Sequence, residues 1–301
     1  MKELVIISGK GGTGKTSVAA AFARLAHDKV LADCDVDAAD LHLVLSSVPV
    51  ERHAFSGRKR ATIDRTTCVV CGECAEQCRF GAIDLDPPHV DRFTCEGCGL
   101  CARLCPANAI RLEPAANGEW SVAETPWGPL VEARLGVAED NSGKLVTLVR
   151  AEARRVAQER ALDTVIIDGA PGIGCPVIAS LAAASLALVV TEPTVSGRHD
   201  LGRVLALARH FRLPFAVCVN KSDLNPSVAQ VIEKEALAAG ALFVTSVRYD
   251  RAVTEAMVAG GSVVDRLDGG VAGDLAALWE LTRAALVERV RIGDLESGGT
   301  D

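Results

Sequence analysis

A glycine-rich segment near the start of the chain is the feature that most restricts the fold. Residues 9–16 read GKGGTGKT and match the pattern GxxxxGK[ST]. The apolar run 4–7 before the segment predicts a strand, and the Ala-rich run after it predicts a helix. At such a turn, glycines let successive backbone N–H groups and the helix N-terminus face a phosphate. The segment therefore predicts a nucleotide phosphate site in an α/β fold.

Each residue of this loop has an expected part in nucleotide binding. Lys15 is expected to reach the β- and γ-phosphates, and the Thr16 hydroxyl is expected to bind Mg²⁺. An incidental glycine turn is the alternative, but it does not explain the strand before the loop and the helix after it. The other residues expected to contact the nucleotide are Gly9, Lys10, Gly11, Gly12, Thr13 and Gly14.

Outside residues 55–114, short apolar segments alternate with longer Ala/Leu-rich segments. This rhythm predicts a doubly wound, mostly parallel sheet with helices on both faces. Residues 117–137 are expected to return the chain to the sheet. The predicted strands are 4–8, 30–33, 164–168, 186–191, 215–220 and 241–245. The predicted helices are 16–27, 143–158, 176–184, 200–211, 226–239, 252–258 and 272–290.

Eight of the 11 cysteines form two runs with the same spacing, CxxCxxCxxxC. This is the spacing of bacterial ferredoxins, in which the fourth cysteine of each run binds the cluster of the other run. The runs therefore predict two [4Fe–4S] clusters. Two zinc sites are the alternative, although zinc sites usually show paired CxxC elements. The expected ligands are a first quartet, Cys68, Cys71, Cys74 and Cys105, and a second quartet, Cys95, Cys98, Cys101 and Cys78.

The cysteine runs also predict the domain organisation. Residues 55–114 are expected to form an inserted α+β ferredoxin-like domain, and residues 1–54 and 115–301 a discontinuous nucleotide-binding domain. A proline follows the last cysteine of the second run, whereas Arg79 follows that of the first. A positive charge at this place could raise the reduction potential of a neighbouring cluster.

Composition disfavours several classes of partner. The net charge is −7 and the pI is near 5.5, so the chain as a whole does not attract nucleic acid or anionic lipid. The longest apolar stretch, 176–190, is shorter than the roughly 20 residues of a spanning helix. The N-terminus lacks the features of a signal peptide. We expect a cytoplasmic protein that binds neither nucleic acid nor membrane.

Lys10, early in the phosphate loop, makes GKGGTGKT resemble the deviant Walker A motif of the MinD/ParA/nitrogenase iron protein class of P-loop ATPases. The resemblance implies an ATP-hydrolysing dimer, in which Lys10 reaches the partner's nucleotide. It also implies that Asp35 orients the attacking water, within the first switch. Residues 169–174, GAPGIG, resemble the second switch of the class.

Polar residues at two other predicted strand ends support this class. The segment TVIID ends in Asp168, which is expected to hold Mg²⁺ through water, and Asp33 is expected to assist nearby. A single strand-end Asp often only caps a helix. In NKSD, residues 220–223, the Asn220 amide can pair with a purine edge, while Asp223 leaves GTP as a minor alternative to ATP.

The remaining cysteines differ in their surroundings. Cys34 and Cys218 lie in apolar segments and are expected to pack in the core. Cys175 follows the second switch, at the spacing of a cluster ligand in the nitrogenase iron protein, so two copies could hold a cluster or metal across a dimer. Packing at a helix start is the alternative.

Taken as a whole, the sequence resembles the MinD-superfamily ATPases that contain an inserted ferredoxin domain, and residues 139–145, EDNSGKL, resemble a stretch typical of them. The resemblance implies ATP or ADP, Mg²⁺ and two [4Fe–4S] clusters as cofactors. The leading hypothesis is a dimeric ATP-dependent switch, formed with an identical or paralogous subunit. It would gate electron transfer to a redox partner, or assemble or deliver a metallocluster to an acceptor protein.

Two alternatives come from other functional classes. One is a ferredoxin-type electron carrier in which the nucleotide is only a regulatory ligand. The other is a positioning protein on DNA or membrane, which the acidic composition disfavours.

Overall fold

A computed structural model gives the structure of the chain and describes residues 1–136 and 142–297, with side chains as far as residue 288. Residues 139–141 of the EDNSGKL segment lie outside the described residues. The chain forms two compact units. The larger unit contains residues 1–52, 120–134 and those from 142 onward, and the smaller contains residues 53–119 and a short segment that begins at Leu135.

Strands of the described residues build three sheets. They are β1 Lys2–Ser8, β2 Lys29–Cys34, β3 Val48–Phe55, β4 Arg58–Ile63, β5 Ile83–Leu85, β6 Pro88–Val90, β7 Ile110–Ala115, β8 Gly118–Thr125, β9 Gly128–Leu135, β10 Thr164–Pro171, β11 Leu186–Thr191, β12 Phe215–Asn220 and β13 Val244–Val247. The nine-stranded sheet has the order β13-β12-β11-β1-β10-β2-β9-β8-β3. Its neighbours from β13 to β9 all pair in parallel.

Helices follow most strands of the larger unit. The α-helices of the described residues are α1 Lys15–Leu25, α2 Leu41–Leu45, α3 Glu73–Glu76, α4 Leu100–Leu104, α5 Ser142–Glu159, α6 Cys175–Leu181, α7 Val195–His210, α8 Pro226–Ala238, α9 Arg251–Val258 and α10 Val271–Ser297. Within the part of the chain that is described, no helix combines the length and the apolar character needed to span a membrane.

The mostly parallel α/β sheet predicted from the sequence is confirmed, and its buried strands explain the apolar runs. Residues Leu4–Ile7 of β1 are completely buried, as expected for a strand covered on both faces. On α1, Phe22 packs against Trp279 of α10 with ring centroids 5.0 Å apart. Cys34 and Cys218 are buried in strands, so they belong to the core.

Some predicted boundaries are wrong for local reasons. A strand is predicted at 241–245, but the structure has it at Val244–Val247. The strand begins later because Gly240, with a φ of 98°, follows the end of α8 and residues 241–243 connect the helix to the sheet. Helix α7 begins at Val195, five residues before the predicted start, because the Thr194 hydroxyl accepts a hydrogen bond from the Gly197 N–H at 2.9 Å. Strands β3, β8 and β9 were not predicted as strands.

The smaller unit has an internal repeat in structure as well as in sequence. Strands β4 and β7 form one antiparallel pair, and β5 and β6 form another. Each short helix contains the third cysteine of one run, Cys74 in α3 and Cys101 in α4. The small core combines apolar residues with two cysteines, namely Ala61, Cys74, Ala82, Cys95 and Ile110.

A buried ion pair lies beside the start of β1. Arg150 of α5 is 4% exposed and Glu3 is 5% exposed, and the Arg150 guanidinium contacts the Glu3 carboxylate. The same guanidinium donates to the carbonyl oxygens of Ala179 and Ala182 at 2.6 Å each. Arg154 also pairs with Glu3. Arg150 therefore joins α5, α6 and β1.

We expect Arg150→Met to lower the free energy of unfolding by about 3 kcal/mol, because it leaves a buried carboxylate with one partner fewer. Arg155→Met is the matched control on the same helix. Arg155 forms partly exposed pairs with Glu152 and Glu159, and such surface pairs contribute at most about 1 kcal/mol. Urea denaturation measures both changes, and equal losses in the two variants would contradict the prediction.

Candidate functional site

The phosphate loop connects β1 to α1 and is fixed by a side chain from a distant strand. The Asn220 Nδ2 donates a hydrogen bond to the Thr13 carbonyl oxygen at 2.8 Å. Gly14 has a φ of 97°, and a Cβ atom added there would lie 2.3 Å from the Asn220 Nδ2. Glycine is therefore required at position 14 both by the backbone conformation and by the contact with Asn220.

Lys15 is buried inside this loop and faces an acid. It is 6% exposed, and its Nζ lies 3.6 Å from the Asp35 Oδ2 just beyond β2. Burial raises the pKa of Asp35, and the Lys15 ammonium opposes that rise. The structure thus brings together two residues for which the sequence predicted roles at the γ-phosphate.

Asp33 and Asp168 are register partners on the neighbouring strands β2 and β10. Both are 1% exposed. The two carboxylate oxygens of Asp33 accept hydrogen bonds from the backbone N–H groups of Asp35 at 3.1 Å and Leu41 at 3.0 Å. Burial and the neighbouring Asp168 charge raise the pKa of Asp33 well above its usual range. The structure therefore concentrates carboxyl groups beside the phosphate loop.

Asp168 differs from Asp33 because one of its oxygens has no partner. Its Oδ1 is buried and accepts no hydrogen bond, whereas the Thr16 hydroxyl bonds to the carboxylate. Burial raises the pKa of Asp168 to about 6, although Lys15 and Thr16 oppose the rise. Hydroxyl and carboxylate oxygens are ligands that Mg²⁺ prefers. Thr16 and Asp168, with this unpartnered oxygen, therefore fit a magnesium site.

Glu192, just after β11, is a site residue that the sequence motifs did not indicate. Its Oε1 lies 2.5 Å from the Lys10 Nζ, and its Oε2 lies 3.3 Å from the Lys221 Nζ. Burial alone would raise the pKa of Glu192, but the two ammonium groups outweigh it and lower the pKa. A signal was present, because acids at the carboxyl ends of parallel strands meet at one edge of the sheet.

Lys10 and Lys221 are thereby fixed around the loop. The Lys10 Nζ also contacts the Ser196 Oγ at 3.1 Å, and the Lys221 Nζ donates to the Gly12 carbonyl at 3.1 Å. The family resemblance implies that Lys10 reaches a partner's nucleotide, which stays a prediction, and in this structure Lys10 is paired within its own chain. Lys221 was part of the NKSD segment but received no prediction.

The NKSD segment contacts the loop and a neighbouring backbone. The Asn220 Oδ1 accepts from the Lys221 N–H at 3.0 Å, so both ends of this amide have partners here. The Asp223 Oδ1 accepts from the Tyr249 N–H at 2.6 Å. The predicted contact between Asn220 and a purine edge stays a prediction.

The segment 169–174 leads from β10 to α6. Gly169 packs closely against β1, since a Cβ atom added there would lie 2.7 Å from the Ile7 Cγ2. Gly172 has a φ of 93°, in the region that favours glycine. Cys175 is the exposed first residue of α6, and a Cβ atom added to Gly143 would lie 3.3 Å from its Cβ.

In the smaller unit, the eight cysteines of the two runs line two cavities. The first cavity is lined by all four members of the first quartet. The second cavity is lined by all four members of the second quartet. Each cavity thus combines three thiols of one run with the fourth thiol of the other. The backbone N–H of Ala82 donates to the Cys78 Sγ at 3.4 Å, and that of Ala109 donates to the Cys105 Sγ at 3.3 Å.

Matching turns in the two runs place these thiols. Val70 and Gly97 occupy equivalent positions and have φ angles of 54° and 64°. A Cβ atom added to Gly97 would lie 2.0 Å from the Lys59 carbonyl oxygen, so only glycine fits there. Among the side chains described, in residues 1–136 and 142–288, no three or more His, Cys, Asp or Glu are arranged to hold a metal ion.

Comparison with known proteins gives a family match over most of the chain. The model of the CobQ/CobB/MinD/ParA nucleotide binding domain matches residues 4–263. An uncharacterized protein of Methanocaldococcus jannaschii, MJ0578, is 35% identical over 227 residues, which are 74% of this chain and 79% of that protein.

Two solved structures share the fold. The cell division ATPase MinD of Pyrococcus furiosus has a TM-score of 0.55 at 18% identity, covering 94% of this chain and 98% of that one. MinD of Pyrococcus horikoshii in complex with Mg-ADP has a TM-score of 0.55 at 17% identity, covering 93% and 95%. The phosphate loop and the strand-end acids agree with the family match, and the chain belongs to the CobQ/CobB/MinD/ParA nucleotide binding domain family.

Proposed function

We propose that the chain is a Mg-ATP-dependent dimeric switch whose inserted residues 55–114 hold two [4Fe–4S] clusters. In this proposal ATP hydrolysis controls either electron transfer or the assembly or delivery of a metallocluster. The observation that carries it is the grouping of eight thiols into two cavities of four, in a chain that also has a P-loop ATPase site. The crossed grouping follows the ligand rule of two-cluster ferredoxins.

On the nucleotide side, each proposed role corresponds to a contact. Lys15 would bind the β- and γ-phosphates, and Thr16 with Asp168, the latter through water, would hold Mg²⁺, which would supply positive charge beside the phosphates. Asp35, beside Lys15, orients the attacking water. Lys10 exchanges Glu192 for the nucleotide of the partner subunit, so dimer formation must break the Lys10–Glu192 ion pair.

The donor set of each cavity fits an iron–sulfur cluster, because thiolates are the ligands of [4Fe–4S] clusters. Bound clusters would supply one-electron chemistry. The four thiols of each cavity would hold one cluster, so they need not converge on a single ion. The lack of a single-ion site among the described residues is compatible with this arrangement. Cys78 and Cys105 are the two crossing cysteines, each of which lines the cavity of the other run. The N–H donors of Ala82 and Ala109 would offset thiolate charge on them.

The proposed partner is a redox protein or an apo-protein that accepts a metallocluster. Because coupling between two sites is reciprocal, loading of the thiol quartets must change nucleotide affinity by the factor with which nucleotide changes cluster binding. The two outcomes differ in the fate of iron. In electron transfer the iron stays in the protein, whereas in delivery it moves to the acceptor.

The direct test is anaerobic purification of the chain, followed by iron analysis and EPR with and without Mg-ATP, together with an ATPase assay. We expect bound iron, ATP hydrolysis and a spectrum that changes with nucleotide. Bound iron with a spectrum unchanged by Mg-ATP would contradict coupling. A protein without iron would contradict the cluster proposal.

Cys175 is a separate proposal within this function. Its exposed position at the start of α6 lets two copies approach each other in a dimer and hold a metal or cluster between them. In that case Cys175→Ala lowers the metal content of the ATP-bound dimer. Unchanged metal content and partner activity would exclude this role.

We expect Asp168→Asn to abolish ATP hydrolysis and yet to stabilise the protein at pH 7 without nucleotide. The folded-state pKa is about 6 against an ordinary value of 3.8, so the folded protein holds this proton more tightly than the unfolded chain. The contribution of this pKa difference to the free energy of unfolding is fully present below about pH 4 and is lost as the pH rises through 6. An asparagine side chain does not ionise, so the variant avoids this loss, and its free energy of unfolding at pH 7 should rise by an amount on the order of 2 kcal/mol.

Urea denaturation at pH 4.5 and pH 7, with an ATPase assay, tests this prediction. Asp163→Asn is the matched control, because Asp163 is exposed just before the other end of β10. A variant that is inactive and less stable at pH 7 would contradict the burial argument.

Double substitutions test the crossed quartets. We expect Cys68→Ser and Cys105→Ser each to lose about half of the iron, and the double variant to lose no more than either single variant. Combining Cys68→Ser with Cys78→Ser removes one ligand from each quartet, so nearly all iron should be lost. Cys218→Ala, a buried cysteine outside the quartets, is the control that keeps its iron. The reverse pattern would show that each run binds its own cluster.

A further inference from the structure

Equivalent positions of the two cysteine runs carry different charges. The exposed Glu73 and Glu76 lie on α3, beside Cys74 of the first quartet. The equivalent residues of α4, which carries Cys101 of the second quartet, are Leu100 and Arg103. The repeat thus has acids beside one quartet, and an apolar residue and a base beside the other.

The residue after each crossing cysteine extends this difference into the cavities. Arg79 follows Cys78 and lines the second cavity. Its equivalent, Pro106, follows Cys105 and lines the first cavity. None of the residues that line the first cavity is charged. At matched positions, the second cavity therefore has Arg79 and Glu96 where the first has Pro106 and Val69.

Among the described residues, the exposed Arg79 forms no ion pair that would cancel its charge at the cavity. Its guanidinium carbon lies 5.2 Å from the ring centroid of Phe80, which lines the same cavity. Glu96 also lines the second cavity, but its Oε2 lies 3.8 Å from the Arg58 Nη1. Because Arg58 offsets Glu96, Arg79 gives this cavity a net positive neighbour.

We infer that Arg79 gives a cluster bound by the second quartet a higher reduction potential than a cluster bound by the first. The first electron added to the protein then resides on the cluster of the second quartet. This inference rests on the proposed function. Reduction adds negative charge to a cluster bound by four thiolates, and a nearby cation stabilises the reduced form. The uncharged lining of the first cavity offers no such compensation.

Redox titration of the anaerobically purified full chain tests the inference, with dithionite as reductant and EPR as readout. We expect the wild type to be reduced in two separate one-electron steps. Arg79→Gln should shift the higher midpoint potential downward and leave the lower one unchanged. Arg92→Gln is the matched control, since Arg92 lies over the exposed Phe93 at 4.6 Å and neither residue lines either of the two thiol cavities.

Pro106→Arg is the reciprocal variant, because it places a guanidinium beside the first quartet. We expect it to raise the lower midpoint potential and narrow the gap between the two steps. Equal potentials in the wild type, or a shift in Arg79→Gln no larger than in Arg92→Gln, would overturn this inference and leave the cluster proposal intact. A chain without iron would overturn the proposed function, and this inference with it.

Discussion

Parallel pairing of the central strands is the constraint on which the nucleotide site depends. It brings the carboxyl ends of β1, β2, β10, β11 and β12 to one edge of the sheet. Residues far apart in sequence therefore meet there, as when Asn220 bonds to Thr13, 207 positions away. Neither the phosphate loop nor the strand-end acids could form this site alone, because each supplies only part of the charge and only some of the hydrogen bonds.

The parts of the structure that could be predicted from sequence are those encoded locally. The phosphate loop, the buried strands and the cysteine spacing are local patterns, so the family and the parallel sheet followed from them. The position of Glu192 at a strand end was a signal in the sequence, but its pairing with Lys10 could not be predicted because that pairing depends on which strands are neighbours. Strand β3 was missed because most of its residues are exposed, which leaves no apolar run to find.

The smaller unit shows how a repeated sequence can build two unequal sites. Both runs use the same backbone turns, with positive φ angles at Val70 and at Gly97. A β-branched residue is strained in this conformation, so the turn geometry is imposed by the surrounding structure and not by local preference. Once the backbone fixes where the thiols lie, the charges at equivalent positions are free to differ. Arg79 and Pro106 differ in this way without a change in the cysteine spacing.

Buried carboxyl groups at the two ends of the central sheet differ in whether their oxygens have partners, and the end with an unpartnered oxygen is the one suited to a ligand. Near the start of β1, Glu3 is neutralised by Arg150 and Arg154, so its burial needs no ligand. At the other end, Asp168 retains an oxygen without a hydrogen-bond partner. Such a group destabilises the fold until a cation compensates it. A ligand that binds only the folded state stabilises that state, so Mg-nucleotide bound here as proposed would offset part of the cost that this site imposes on the fold.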